Sequence, residues 1–99
     1  MIQAAQALAD PIRAEIVERL AKRNLTAGEL ADGFDVSRPA VSRHLRVLRE
    51  TGLVTYEADA QRRVYRLNRA PLHELTDWIA ALDRLGTHLD KMAAQRRNR

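Results

Sequence analysis

The chain contains no cysteine. That absence excludes disulfides, thiolate nucleophiles, iron–sulfur clusters and every cysteine-based zinc site, and it fits a reducing cytoplasm. Aromatic residues are scarce: one Trp, two Tyr and one Phe in 99 residues are too few for a platform that stacks single-stranded bases. With four Gly and three Pro there is no glycine-rich loop to cradle a nucleotide phosphate and no low-complexity linker. There is no run of about 18 apolar residues and no leader pattern, so a soluble cytoplasmic protein without a membrane partner is expected. No carboxylate–histidine cluster is visible. Ser42 and His44 stand two apart on a helix and diverge in direction, so no catalytic residue and no enzyme activity are expected.

What is present suits one small folded domain, read as residues 1–95 with a basic tail at 96–99. A core this short gains from a partner subunit. The net charge of +4 is unevenly spread. From Arg38 to Arg69 there are eight basic residues against three acids, whereas the remainder has nine against ten. One third of the chain therefore carries the whole excess, as a phosphate-facing surface would. A merely solvated basic face has the same composition.

Ile2 to Leu8 reads as a short first helix. Asp10-Pro11 is an N-cap followed by proline at the first helical position, and Ile12, Ile16, Val17 and Leu20 recur behind it at helical spacing. Lys22-Arg23-Asn24 suits the end of that helix, with Asn24 as a residue tolerant of a left-handed turn. Thr26-Ala27-Gly28-Glu29 is a capping box for a short helix that ends near Gly33. After a turn at Asp35-Val36, Ser37 caps a longer helix to about Thr51, with Val41, Leu45 and Leu48 as its buried stripe. Leu53–Glu57 and Arg63–Leu67 then form a β-hairpin around a turn at residues 58–62. From Ala70 a last helix of about 25 residues carries Leu72, Leu75, Ile79, Leu82, Leu89 and Met92 in a seven-residue pattern that Gly86 interrupts. Trp78 and Leu85 widen the apolar stripe, one side of which the domain can cover and the other a second copy.

A capped short helix, a turn and a basic-faced helix make a helix-turn-helix, and the hairpin after it is a wing. The fold class expected is thus mainly α with a β-hairpin wing, a winged helix-turn-helix whose terminal helices form a dimer interface. The major groove of DNA admits one α-helix, which needs an apolar back and small or polar residues at its front. Residues 37–46 have that design: arginine reads guanine bidentately, and serine suits phosphate oxygens.

Leu8-Ala9-Asp10-Pro11-Ile12-Arg13, the run from Arg38 to Val54, and Arg62-Arg63-Val64-Tyr65-Arg66-Leu67 together resemble the arsenic-repressor (ArsR/SmtB) family of winged-helix regulators. The likeness spans roughly residues 5 to 85. It implies a homodimeric repressor that binds an inverted-repeat operator in double-stranded DNA and releases it when an effector, not identified here, binds. With the residue chemistry it marks Ser37, Arg38, Pro39, Ser42, Arg43, His44 and Arg46 as helix contacts to DNA, and Gln61, Arg62 and Arg63 as wing contacts. Ile2, Leu75, Trp78, Ile79, Leu82, Leu85 and Leu89 are the expected subunit interface. The family's cysteine metal box is replaced by Thr26 and Gly28. Its other site, on the last helix, retains one possible ligand from each pair, Asp77 and His88, so no metal and no cofactor are expected. The competing reading, a winged helix reused to bind protein, requires an apolar patch on the exposed face of residues 38–49.

Overall fold

Three side chains decide where the helices begin. In the computed structural model, which describes residues 2–97 and the side chains of 2–96, Asp10 Oδ1 accepts from the amides of Ile12 and Arg13 at 2.9 and 3.0 Å. This cap starts α2 (Pro11–Lys22), which follows α1 (Ile2–Leu8) after a two-residue break. Thr26 Oγ1 accepts from the Glu29 amide at 3.1 Å while the Glu29 carboxylate takes the Thr26 amide at 3.0 Å. The capping box expected from the sequence is therefore formed, and it opens α3 (Ala27–Ala31). Ser37 Oγ accepts the Ala40 amide at 3.3 Å and opens α4 (Arg38–Glu50).

The end of α4 is equally explicit. Gly52 takes φ +78°, its amide donates to Arg49 O at 3.0 Å, and the Leu53 amide donates to Leu48 O at 3.0 Å. These two bonds form a Schellman motif, which needs a left-handed residue that glycine adopts without a Cβ penalty. No such residue ends α2. Arg23 is extended (φ −166°, ψ 161°) and Asn24 is not left-handed, contrary to the sequence expectation. The reason is tertiary: the chain runs straight into β1 (Leu25–Thr26), a strand that residue patterns do not announce. Leu25 pairs with Tyr65 and is itself buried.

β2 (Val54–Asp59) and β3 (Arg62–Leu67) complete an antiparallel sheet in the order β1-β3-β2. The hairpin turn is the two residues Ala60-Gln61, shorter than the 58–62 connection expected. Ala60 takes φ +56°, in the left-handed region that glycine or asparagine more often fills in a hairpin turn.

α3 is too short to persist alone. Leu30 is fully buried, and Arg19 of α2 donates to Leu30 O at 3.4 Å and Gly33 O at 2.9 Å while lying 4.3 Å from the centre of the Phe34 ring. A Cβ on Gly33 would collide with that guanidinium, so glycine there makes room for the clamp. The Asp32–Ser37 connection is thus tied to α2, and α3 and α4 are held as one unit. Ile16, Leu30, Val41, Leu45, Leu48, Leu53 and Val54 form the fully buried centre.

α5 (Ala70–Arg97) behaves differently from the rest. Asn68 accepts the Ala70 amide at 3.4 Å and donates to Gly52 O at 2.9 Å, which ties the start of the helix to the end of α4. Leu72 and Leu75 pack on the core. From Thr76 to Arg96 every described side chain is exposed, and the molecule is drawn out to 69 × 26 × 21 Å. The domain therefore covers only the start of the stripe rather than one whole side of it. Helix persists through Arg97, past the point where a loose tail is expected; residues 98 and 99 of that tail, like residue 1, lie outside the described residues.

The Asp10 cap has a pH consequence. The Arg13 amide holds the Asp10 carboxyl below the ordinary carboxylate range, with the charge of His44 and the Ile12 amide adding to it against partial desolvation. A pKa lowered on folding contributes stability above its unfolded value that is lost as pH falls through the folded one. Asp10→Asn keeps a capping oxygen but removes the charge. It is expected to flatten the acid limb of a plot of urea midpoint against pH; identical limbs in both proteins would dismiss Asp10 as a contributor.

Candidate nucleic-acid interface

α4 has two faces because its apolar residues recur every three or four positions. Val41, Leu45 and Leu48 are buried against the core. Ser37, Arg38, Pro39, Ser42, Arg43 and Arg46 are exposed on the outer side, six of the seven helix residues that the sequence nominates. Ser37 spends an acceptor on its cap but keeps a hydroxyl hydrogen to donate. Arg46 lies 3.1 Å from Glu50, one turn along, an exposed pair of little strength. Arg38 and Arg43 pair with no carboxylate among the described residues.

His44 is the exception. It is turned inward, with 21% of its side chain exposed, 3.3 Å from Arg13 Nη1 and 4.0 Å from Asp10 Oδ1. Three residues after Val41 and one before Leu45, it falls on the edge of the buried stripe, which is why polar sequence neighbours mislead. The residue docks α4 onto the N-terminus of α2 instead of facing outward.

The wing tip reaches the same side as the start of α4. Arg38, Gln61, Arg62 and Arg63 line a cleft of about 490 Å³ whose floor is Thr26, Ala27 and Gly28. Arg38 extends back over Gly28. Arg62 is held at 3.2 Å by Asp59. Three arginines from two elements thus line one open cleft, which suits anionic oxygens. Glu29, beside it, is kept below the usual carboxylate range, first by the backbone amide of Thr26.

Arg49, which helical period sets opposite the buried stripe, and Tyr56 lie beside this surface although neither is among the expected DNA contacts. Arg49 Cζ lies 5.0 Å and Arg63 Cζ 4.6 Å from the centre of the Tyr56 ring. The grouping depends on strand register. Placing the strand ends at Glu57 and Arg63 would set those two opposite each other, whereas Arg63 in fact faces Ala58 and Glu57 faces Val64. A one-residue slip puts a side chain on the wrong face.

The expected subunit-interface residues separate into two groups. Ile2, Trp78, Ile79, Leu82, Leu85 and Leu89 are exposed, and the five on α5 each keep 52–60% of their surface. Leu75, expected with them, is instead half-buried on the domain's own core because it lies on the first turns of α5, where the domain still reaches.

Comparison with known proteins places this geometry in context. The pattern described as bacterial regulatory protein, arsR family, matches residues 10–56. The chain is 51% identical over 82 residues to the HTH-type transcriptional regulator Rv2034 of Mycobacterium tuberculosis, covering 78% of this chain and 77% of that one. It is 31% identical to the transcriptional repressor SdpR of Bacillus subtilis, covering 75% and 82% of the two chains. Among solved structures, the ArsR-like transcriptional regulator from Rhodococcus sp. RHA1 superposes with a TM-score of 0.76 at 31% identity, over 98% of this chain and 86% of that one. Thr26 and Gly28, the positions that the sequence sets against a cysteine metal box, do not fit a metal. Thr26 Oγ1 is occupied by the Glu29 amide, Gly28 has no donor, and no group of three or more His, Asp or Glu among the described residues is placed around a common point.

Proposed function

The chain belongs to the ArsR family of bacterial regulatory proteins and is a DNA-binding transcriptional regulator, and from that premise we propose that it acts as a homodimeric repressor on an inverted-repeat operator. The observation that carries this reading is the division of α4 into a buried apolar face and an outer face of Ser37, Arg38, Ser42, Arg43 and Arg46 beside a basic wing tip. α4 enters the major groove, and Arg43, exposed and without a carboxylate partner among the described residues, reads base edges. Ser37, Arg38 and Ser42 meet phosphates, and Gln61, Arg62 and Arg63 hold the flanking backbone. The apolar face of α5, with Ile2, pairs with a second copy and sets two α4 helices about 34 Å apart, one turn of DNA. The protein-interaction reading requires an apolar outer face on α4, and arginine and serine occupy it.

Selection from a random duplex pool, with affinity followed against salt, tests the proposal. Recovery of an inverted repeat with a steep fall in affinity as salt rises is the expected result. Weak binding without sequence preference in the protein alone would overturn it. On the selected operator, Arg43→Ala is expected to cost about 1–3 kcal/mol and to relax preference at one position per half-site. An unchanged affinity removes Arg43 from the base-reading set.

A further inference from the structure

Tyr56 occupies a position that neither the sheet nor the core requires of an aromatic residue. It stands opposite Tyr65 in the wing, with ring centres 5.5 Å apart and planes tilted by 47°. Tyr65 is buried, whereas Tyr56 keeps 37% of its surface exposed. Arg49, in the last turn of α4, and Arg63, on the neighbouring strand, both lie over its ring. Two cations from different elements are thereby gathered on one side chain. Neither pairs with a carboxylate among the described residues, because the nearby acids are taken: Glu50 by Arg46, Glu57 by Arg66 and Asp59 by Arg62.

A guanidinium stacked on an aromatic ring uses its flat face and keeps its in-plane N–H donors free. Two such groups, each within 5.0 Å of one ring centre, repel each other, and an anion bridging their free donors relieves that repulsion. We propose that Arg49 and Arg63, positioned by Tyr56, form a seat for one backbone phosphate of duplex DNA at the junction of α4 and the wing. The inference rests on the DNA-binding reading and extends it: the seat joins the groove-entering helix to the wing, so a bound phosphate locks their relative orientation. Arg49 and Arg63 bind; Tyr56 is a positioning residue.

The test uses the full-length protein and a fixed mixed-sequence duplex, titrated across a range of salt concentrations. Arg49→Gln and Arg63→Gln are each expected to lower the salt slope by about one. Tyr56→Leu is expected to weaken binding at low salt by about tenfold, and Tyr56→Phe to recover most of that loss. The coupling is the decisive readout. With Tyr56 present, the Arg49→Gln and Arg63→Gln effects are non-additive, and with leucine there they become additive. Additive effects in the Tyr56 background, or a Tyr56→Leu slope equal to wild type, overturn the seat. Since the arginine pair alone reports coupling, the result stands even where Tyr56→Leu fails to fold. Absence of salt-dependent binding by the wild-type protein overturns the DNA-binding proposal as well, whereas normal wild-type binding with uncoupled arginines overturns this inference alone.

Discussion

Leu82→Glu is expected to convert a dimer into monomers and to lower operator affinity on the order of 100-fold, the scale of losing one of two linked binding events. The ground is the surface of α5. Trp78, Ile79, Leu82, Leu85 and Leu89 recur along one helix, all exposed, beyond Leu72 and Leu75 where the helix packs on the core. Contiguous exposed apolar patches of this kind mark an interaction surface. Leu82 lies midway along it. Burying one leucine contributes about 1.5–3 kcal/mol, and in a twofold interface the substitution removes that contribution twice. Glutamate adds the cost of a charge set against apolar neighbours. Sedimentation of the variant decides the matter. A species that remains dimeric at the wild-type association constant places the subunit contact somewhere other than α5.

Leu45→Ala is expected to destabilise the fold by about 2–5 kcal/mol, the usual range for emptying a leucine site in a packed core. Leu45 is 1% exposed and lies on the inner face of α4, between Val41 and Leu48. A chain of this length is stable by roughly 5–15 kcal/mol, so the loss is a large share of the whole. The effect bears on function because the outer face of α4 is aimed only by its inner one. Denaturant unfolding at fixed protein concentration measures it, and added operator duplex should recover part of the midpoint by binding the folded form. A loss under about 1 kcal/mol would mean that the site collapses around the smaller residue and that α4 is held mainly elsewhere.

The site was legible where its logic is local. Asp10, Thr26 with Glu29, and Ser37 announce helix starts because a cap joins residues two or three apart, and the three contacts are present in the fold. The outer face of α4 was readable for the same reason: helical period alone separates Arg38, Ser42, Arg43 and Arg46 from Val41, Leu45 and Leu48. His44 lies on the boundary between the faces, where period does not choose. Its side is set by Asp10 and Arg13, 34 and 31 residues earlier. β1 was missed because two residues carry no periodicity, and its only reason to be extended is the free edge of β3. The Arg49–Tyr56–Arg63 group was missed because it depends on the register of a hairpin whose two-residue turn lacks the usual glycine.

By itself the sequence determined the order of the helices and of the two hairpin strands, the caps, the buried stripe of α4 and the concentration of positive charge between Arg38 and Arg69. These rest on short-range rules: hydrogen bonds within one turn, side-chain period and composition. Only the tertiary structure decided that α2 passes directly into a strand and that His44 faces inward. It alone decided that the wing tip closes a basic cleft with the start of α4, and that α5 leaves the domain after Leu75. Each of those depends on groups far apart in the chain meeting at a distance of a few ångströms, and no local pattern carries the position of the partner.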